Sequence, residues 1–262
     1  CCQLWRIPAL FVAASAHCLS HMPLDEAMDL LVHLQFTAVE LPIQKEGKFL
    51  TPAAVHADLQ EAVLRCRETH RLDICALLVD LGEASDEAYN QFHSICKLAK
   101  ALKVHTITVP SAELGTPFNE EVEHLRRLVA IAGMEGIRVS IKNETGRISQ
   151  DPDTLKLLCN HVDGLGITLD PSHFIYGPHG GADYDPLLKF VYHTHLRDTR
   201  KDELQVRVGQ GEIEYGRLVS QLQREGYDRA LCVDIYPVEG EDAEQHAGEL
   251  RKLRLLLESL LL

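Results

Sequence analysis

A chain of 262 residues, 45% hydrophobic and 25% charged, carries enough apolar surface to bury a large core, which excludes a disordered polypeptide. Its formal net charge of −13 argues against a nucleic-acid partner, since neutralising phosphates takes an excess of Lys and Arg. Eight cysteines are scattered without a Cys-x-x-Cys pair, which leaves a thiolate zinc site unsupported and reads as a reducing, cytoplasmic setting. No apolar run approaches the length of a membrane span and no signal peptide is visible, so neither a membrane partner nor secretion is expected.

Along the chain, apolar runs alternate with stretches of helical periodicity. The run "ALFVAASAH" (9–17) predicts a first strand, and "PLDEAMDLLVHLQ" (23–35) a helix. "TAVELPI" (37–43) predicts a second strand, followed by a long helical stretch from Thr51 to His70. "DICALLVDL" (73–81) precedes a helix over 85–103 with Ser85 as its cap, and "HTITVPS" (105–111) precedes one over 119–136 with Asn119 as its cap. "RVSIKNE" (138–144) leads to a helix over 151–162, capped by Asp151 with Pro152 at the first helical position. "LGITLDPSHF" (165–174) leads to a short helix near 184–190, and "VYHTHLRDT" (191–199) leads through a loop to a helix over 214–226. "ALCVDIYP" (230–237) and an amphipathic helix over 241–261 close the chain.

Eight such units in about 250 residues match the size and order of one (β/α)8 TIM barrel, an eight-stranded parallel barrel. A doubly wound open sheet shares the alternation, but no G-x-G-x-x-G follows the first strand. No linker or low-complexity tract interrupts the chain, so residues 1–262 read as a single domain.

Side chains alternate faces along a strand, and the late, inward-facing positions of these strands are polar. Glu40 on the second, Lys142 and Glu144 on the fifth, Asp170 on the sixth, His195 and Arg197 on the seventh and Asp234 on the eighth converge at one mouth, with His173 just beyond the sixth. Each has a plainer reading. The His193/His195 pair suits hydrogen bonding within the core, Asp170 suits a turn before Pro171, Glu144 a solvated loop and Glu40 a polar group at the core rim. Asp198 reads as structural, Cys232 as core packing, and His56, His93, His124 and His246 as solvated groups on helices.

"LDPSHF" (169–174), "HTHLRD" (193–198), "VGQGEIEYGRLVSQL" (208–222) and "GYDRALCVDIYP" (226–237) resemble the xylose isomerase-like TIM barrels, the superfamily of sugar phosphate isomerases and epimerases. The resemblance covers nearly the whole chain. It implies a divalent metal (Mn, Mg or Zn) held by acids on strands five, six and eight and a His on strand seven. In this chain those ligands fall on Asp170, His195 and Asp234, with His173, Arg197 and Glu40 toward the substrate. The strand-five acid is replaced by Lys142, whose ammonium has no lone pair for a metal. Three carboxylates with a divalent ion leave one net negative charge, and Lys142 with Asp170 and Asp234 leaves the same without an ion. Two arrangements are therefore expected: Lys142 in the ion's place, or Glu144 recruited as a further metal ligand.

The implied function is a sugar (phosphate) isomerase or epimerase working by proton transfer next to a carbonyl, with Lys142, Glu144 and Asp234 as catalytic residues and a small sugar-like or hydroxy-carbonyl ligand. Alternatives are a non-catalytic small-molecule-binding barrel and a Schiff-base lyase at Lys142. A DNA-repair endonuclease shares the fold, but it needs a basic groove and more metal ligands than this acidic chain offers.

Overall fold

The computed structural model describes residues 10–69 and 71–262. Cys1, Cys2, the start of the first apolar run at Ala9 and the end of the second helical stretch at His70 lie outside the described residues. Eight parallel strands close into a barrel in sequence order. They are β1 (Phe11–Ser15), β2 (Ala38–Gln44), β3 (Asp73–Asp80), β4 (Thr106–Pro110), β5 (Arg138–Lys142), β6 (Leu165–Leu169), β7 (Val191–Leu196) and β8 (Ala230–Val233). Closure runs through β1 and β8, paired from Phe11↔Ala230 to Ala14↔Val233. The helices are α1 (Leu24–His33), α2 (Pro52–Ala57), α3 (Leu59–Arg67), α4 (Asp86–Ala101), α5 (Phe118–Met134), α6 (Pro152–His161), α7 (Ser172–Ile175), α8 (Tyr215–Arg224) and α9 (Ala243–Ser259). This is the (β/α)8 barrel expected from the alternation.

Several local signals act as read. Ser85 accepts the Ala88 N–H to start α4, and Asp151 accepts from Asp153 and Thr154 to start α6 behind Pro152. Others differ. Asn119 is not a cap: α5 starts one residue earlier, because the Pro117 carbonyl already accepts the Glu121 N–H at 3.3 Å. The helical stretch from Thr51 breaks at Asp58, whose backbone is extended (φ −144°) and whose side chain accepts the Glu61 N–H to begin α3. An Asp side chain competing with the helical backbone explains the break. The sixth strand ends at Leu169, and "PSHF" turns into α7. The segment near 184–190 forms a 3-10 helix, Asp185–Phe190. His246 is buried rather than solvated, donating from Nε2 to the Ile235 carbonyl at 2.7 Å, because α9 packs on the β1 and β8 side of the barrel.

The main hydrophobic cluster lies between strands and helices, joining Leu77, Ile107 and Ile167 to Phe92, Leu125 and Leu253. Burying a side chain of this size contributes about 1.5–3 kcal/mol. The barrel interior is different. Its floor is small, with Ala13, Ala38, Ala230 and Cys232 packed together. Thr108, Ser140 and Thr168 form a hydroxyl chain with 2.7 Å links through Thr168 Oγ1. A polar interior closed by its own hydrogen bonds avoids the penalty of unpaired buried groups and supports the charged residues above it.

Candidate active site

The polar residues on β2, β5, β6, β7 and β8 sort into an inner network and a rim. In the inner network the Glu40 carboxylate is fully buried. It accepts from Ser15 Oγ at 2.8 Å and from His195 Nε2 at 2.9 Å, and His193 Nε2 lies 3.2 Å away. Burial works to raise the Glu40 pKa, but the His195 and His193 imidazoles outweigh it and hold the carboxyl well below its ordinary value. Glu40, His193, His195 and Cys232 offer ligand atoms within 4.8 Å of one another.

Toward the mouth lies a charge cluster. Arg197 Nη2 donates to Asp170 Oδ2 at 2.6 Å and to Asp234 Oδ2 at 3.2 Å. Lys142 Nζ donates to Asp234 Oδ2 at 3.2 Å and stands 3.8 Å from Asp170 Oδ2. His195 Nδ1 is 3.4 Å from the same Asp234 oxygen. The other Asp170 oxygen accepts from the Ser172 N–H at 3.1 Å and from the Ser172 hydroxyl. Desolvation opposes charge on Asp170, yet Arg197, His173 and Lys142 together hold its carboxyl far below the ordinary range. Asp234 is likewise lowered against its own burial, by Lys142 first and then His195 and Arg197.

Local structure fixes these groups. The Asn143 side chain clamps the Asp170 backbone, donating to its carbonyl and accepting its N–H, both at 2.7 Å. Ser149 Oγ donates to the Lys142 carbonyl at 2.8 Å. His173 Nδ1 accepts the Thr145 N–H at 3.1 Å, which leaves the ring proton on Nε2, 3.6 Å from Asp170. Burial pushes the His173 pKa down to about 4, so the ring is neutral at pH 7. Asp198 organises the loop after β7, accepting from Gly209 N at 2.8 Å and Gly211 N at 3.0 Å. A Cβ on Gly211 would fall 1.9 Å from Asp198 Oδ1, which explains the glycine in "VGQGE".

A cavity of about 160 Å³ opens at the mouth, lined by His17, Gln44, Lys142, Glu144, Arg147 and Tyr236 among others. Of the residues singled out from sequence, Lys142 and Glu144 line it. Asp170, His195, Arg197 and Asp234 are clustered with Lys142, His173 packs against Asp170, and Glu40 belongs to the inner network. Glu144 sits at the rim, 38% exposed, paired with Arg147 Nε at 3.2 Å rather than with Asp170 or His195. His17, Arg147 and Tyr236 were not singled out from sequence, although Tyr236 lies within "GYDRALCVDIYP". Their loops reach the cavity only once the barrel closes.

A divalent ion does not fit the Asp170, His195 and Asp234 set as it stands. Asp234 Oδ1 and His195 Nδ1 lack hydrogen-bond partners among the described residues, but both Asp170 Oδ2 and Asp234 Oδ2 already face two cationic side chains. Lys142 and Arg197 balance the two aspartates, so an added ion would leave a buried excess of positive charge.

No curated protein sequence matches this chain at a significant level. Solved structures do. A xylose isomerase-like TIM barrel protein from Mycobacterium smegmatis, in complex with magnesium, is 13% identical with a TM-score of 0.75, covering 95% of this chain and 96% of that one. A D-tagatose 3-epimerase-like protein is 17% identical with a TM-score of 0.71, covering 96% and 98%. The IOLI protein with a bound zinc atom is 18% identical with a TM-score of 0.69, covering 97% of each chain. At these identities the likeness is one of fold. A family model described as xylose isomerase-like TIM barrel matches residues 28–256, and the chain belongs to that family.

Proposed function

We propose that this protein is a metal-independent isomerase or epimerase of a small sugar or hydroxy-carbonyl compound, acting by proton transfer next to a carbonyl. The observation that carries this reading is Lys142 Nζ, held between Asp234 at 3.2 Å and Asp170 at 3.8 Å where it also lines the cavity. Removing a proton beside a carbonyl places negative charge on oxygen, and a fixed ammonium in a desolvated mouth is suited to stabilise it. Asp170 and Asp234, themselves fixed by Arg197, hold that ammonium in position. Glu144 is the cavity carboxylate best placed to move the proton. A Schiff-base lyase is less well supported, because it needs an amine free to attack and Lys142 Nζ is engaged with Asp234 at 3.2 Å and faces Asp170 at 3.8 Å.

Elemental analysis of the purified protein tests the metal-free assignment, with less than stoichiometric Mn, Mg or Zn expected. A stoichiometric ion lost in Asp170→Asn would overturn it, whereas one lost only in Cys232→Ser would belong to the Glu40 network beneath. Lys142→Glu is expected to gain metal affinity. A non-catalytic binding barrel is favoured by one observation: both deep aspartates are engaged by cations, leaving few free bases. It predicts ligand binding without any exchange of the ligand's carbon-bound hydrogen with deuterated solvent.

A further inference from the structure

His17 takes no part in the networks described above. It lies in the 3-10 helix Ala16–Leu19, two residues beyond the end of β1, and Glu144 lies two residues beyond the end of β5. In a barrel closed in the order β1 to β8, β1 and β5 stand on opposite sides. The two side chains therefore enter the same cavity of about 160 Å³ from facing walls, with Lys142 lining it as well. Neither ring nitrogen of His17 has a hydrogen-bond partner among the described residues, and its Nδ1 is buried. Its one recorded ring contact is an edge-on approach to Tyr236, with centroids 5.7 Å apart. Buried polar groups are ordinarily paired, so an imidazole left free beside a charged cavity points to a ligand.

We infer that His17 and Glu144 are a pair of proton-transfer groups on opposite walls, so that the reaction is inversion at the carbon beside the carbonyl of a small hydroxy-carbonyl compound. This rests on the isomerase or epimerase reading and narrows it. The aspartates cannot readily fill the role, since Asp170 and Asp234 both face Lys142 and Arg197. His17 is suited to it. Burial lowers its pKa most, with Asp234 and Glu40 raising it and Lys142 and His195 lowering it, so the net position is below the ordinary 6.5 and the ring is neutral at pH 7. The remaining charged groups at the cavity are Asp80, Glu144 and Arg147.

In one direction the neutral His17 imidazole accepts the carbon-bound proton. The C–H electron pair becomes the C=C bond of an enediolate, and the carbonyl π pair moves to oxygen, facing the Lys142 ammonium. Glu144 relays a proton from solvent to the opposite face, and the oxygen pair restores the carbonyl. The reverse reaction exchanges the two roles. The cavity size suits a ligand of a few carbons. A neighbouring cleft of about 360 Å³, which shares His17, Gln44 and Asp80, gives room for a longer chain.

The test uses the full chain in deuterated water with both enantiomers of erythrulose and with pairs of pentuloses epimeric at the carbon beside the carbonyl. Proton loss is followed by NMR, and configuration by chiral separation. The wild-type protein is expected to put deuterium into the inverted product from either member of a pair. His17→Gln is expected to slow inversion by about 100-fold or more in both directions. It should keep hydrogen exchange, without inversion, for one member of the pair, and Glu144→Gln should keep it for the other. Ligand affinity of His17→Gln, measured by calorimetry, should change little, which separates loss of chemistry from loss of fold. Inversion by His17→Gln at close to the wild-type rate would overturn the pairing and leave the broader reading standing. No exchange by the wild-type protein on any probe would overturn both.

Discussion

The β6–β8 wall and the β1–β5 axis of the same mouth are built on opposite principles. On the wall, Asp170, Asp234 and Arg197 are joined by Lys142 from the end of β5 in ion pairs of 2.6–3.8 Å, and the buried charges are balanced. Across the axis, the His17 side chain has no hydrogen-bond partner among the described residues, and the Glu144 carboxylate makes a rim pair with Arg147. Buried charges that neutralise each other become part of the architecture, because removing either member leaves an uncompensated ion. Groups left unpaired beside a cavity contribute little to stability and remain available for a ligand. Several of the residues most conspicuous in the sequence thus pair with Lys142 or with one another, and one of the residues lining the cavity was inconspicuous.

Substitutions that separate scaffold from chemistry test this contrast. Arg197→Met should have the largest effect on stability, since it strips the closest cation from two buried aspartates. A loss of about 3–5 kcal/mol is expected in urea unfolding, and a loss below about 1 kcal/mol would show that Lys142 alone balances the wall. Glu40→Gln follows. It removes the carboxylate that accepts from Ser15 and His195 and faces His193, and a loss of about 2 kcal/mol by the same measurement is expected. Asp198→Asn should cost about 1–2 kcal/mol, because one carboxylate oxygen holds two loop N–H groups at 2.8 and 3.0 Å. Faster amide hydrogen exchange at Gly209 and Gly211 would accompany it. His17→Gln should be the mildest, within about 0.5 kcal/mol of wild type in stability, because no protein hydrogen bond is lost. A large destabilisation there would place His17 with the scaffold and blunt the contrast.

The barrel was legible because strand–helix alternation leaves a periodic trace, and because positions 142, 170, 195, 197 and 234 fall at or just past the ends of their strands. Capping was partly legible. Ser85 and Asp151 act as their residue type suggests, whereas Asn119 is bypassed because Pro117 already supplies the first carbonyl. His246 was misread as solvated because a single His on a helix carries no sign of the strand-end carbonyl it will meet. His17 was passed over for a similar reason. Nothing in "AASAH" indicates that this imidazole will line the same cavity as Glu144, well over a hundred positions along the chain.

By itself the sequence determined the eight-fold alternation and the polar strand ends, since each depends on residue type and local periodicity, and the family resemblance implied an acid where Lys142 stands. Tertiary structure alone decided which charges neutralise one another, which carboxylate stays at the rim and which histidine is left free. Those outcomes depend on distances between strands on different sides of a closed barrel, and such distances exist only after β1 has met β8.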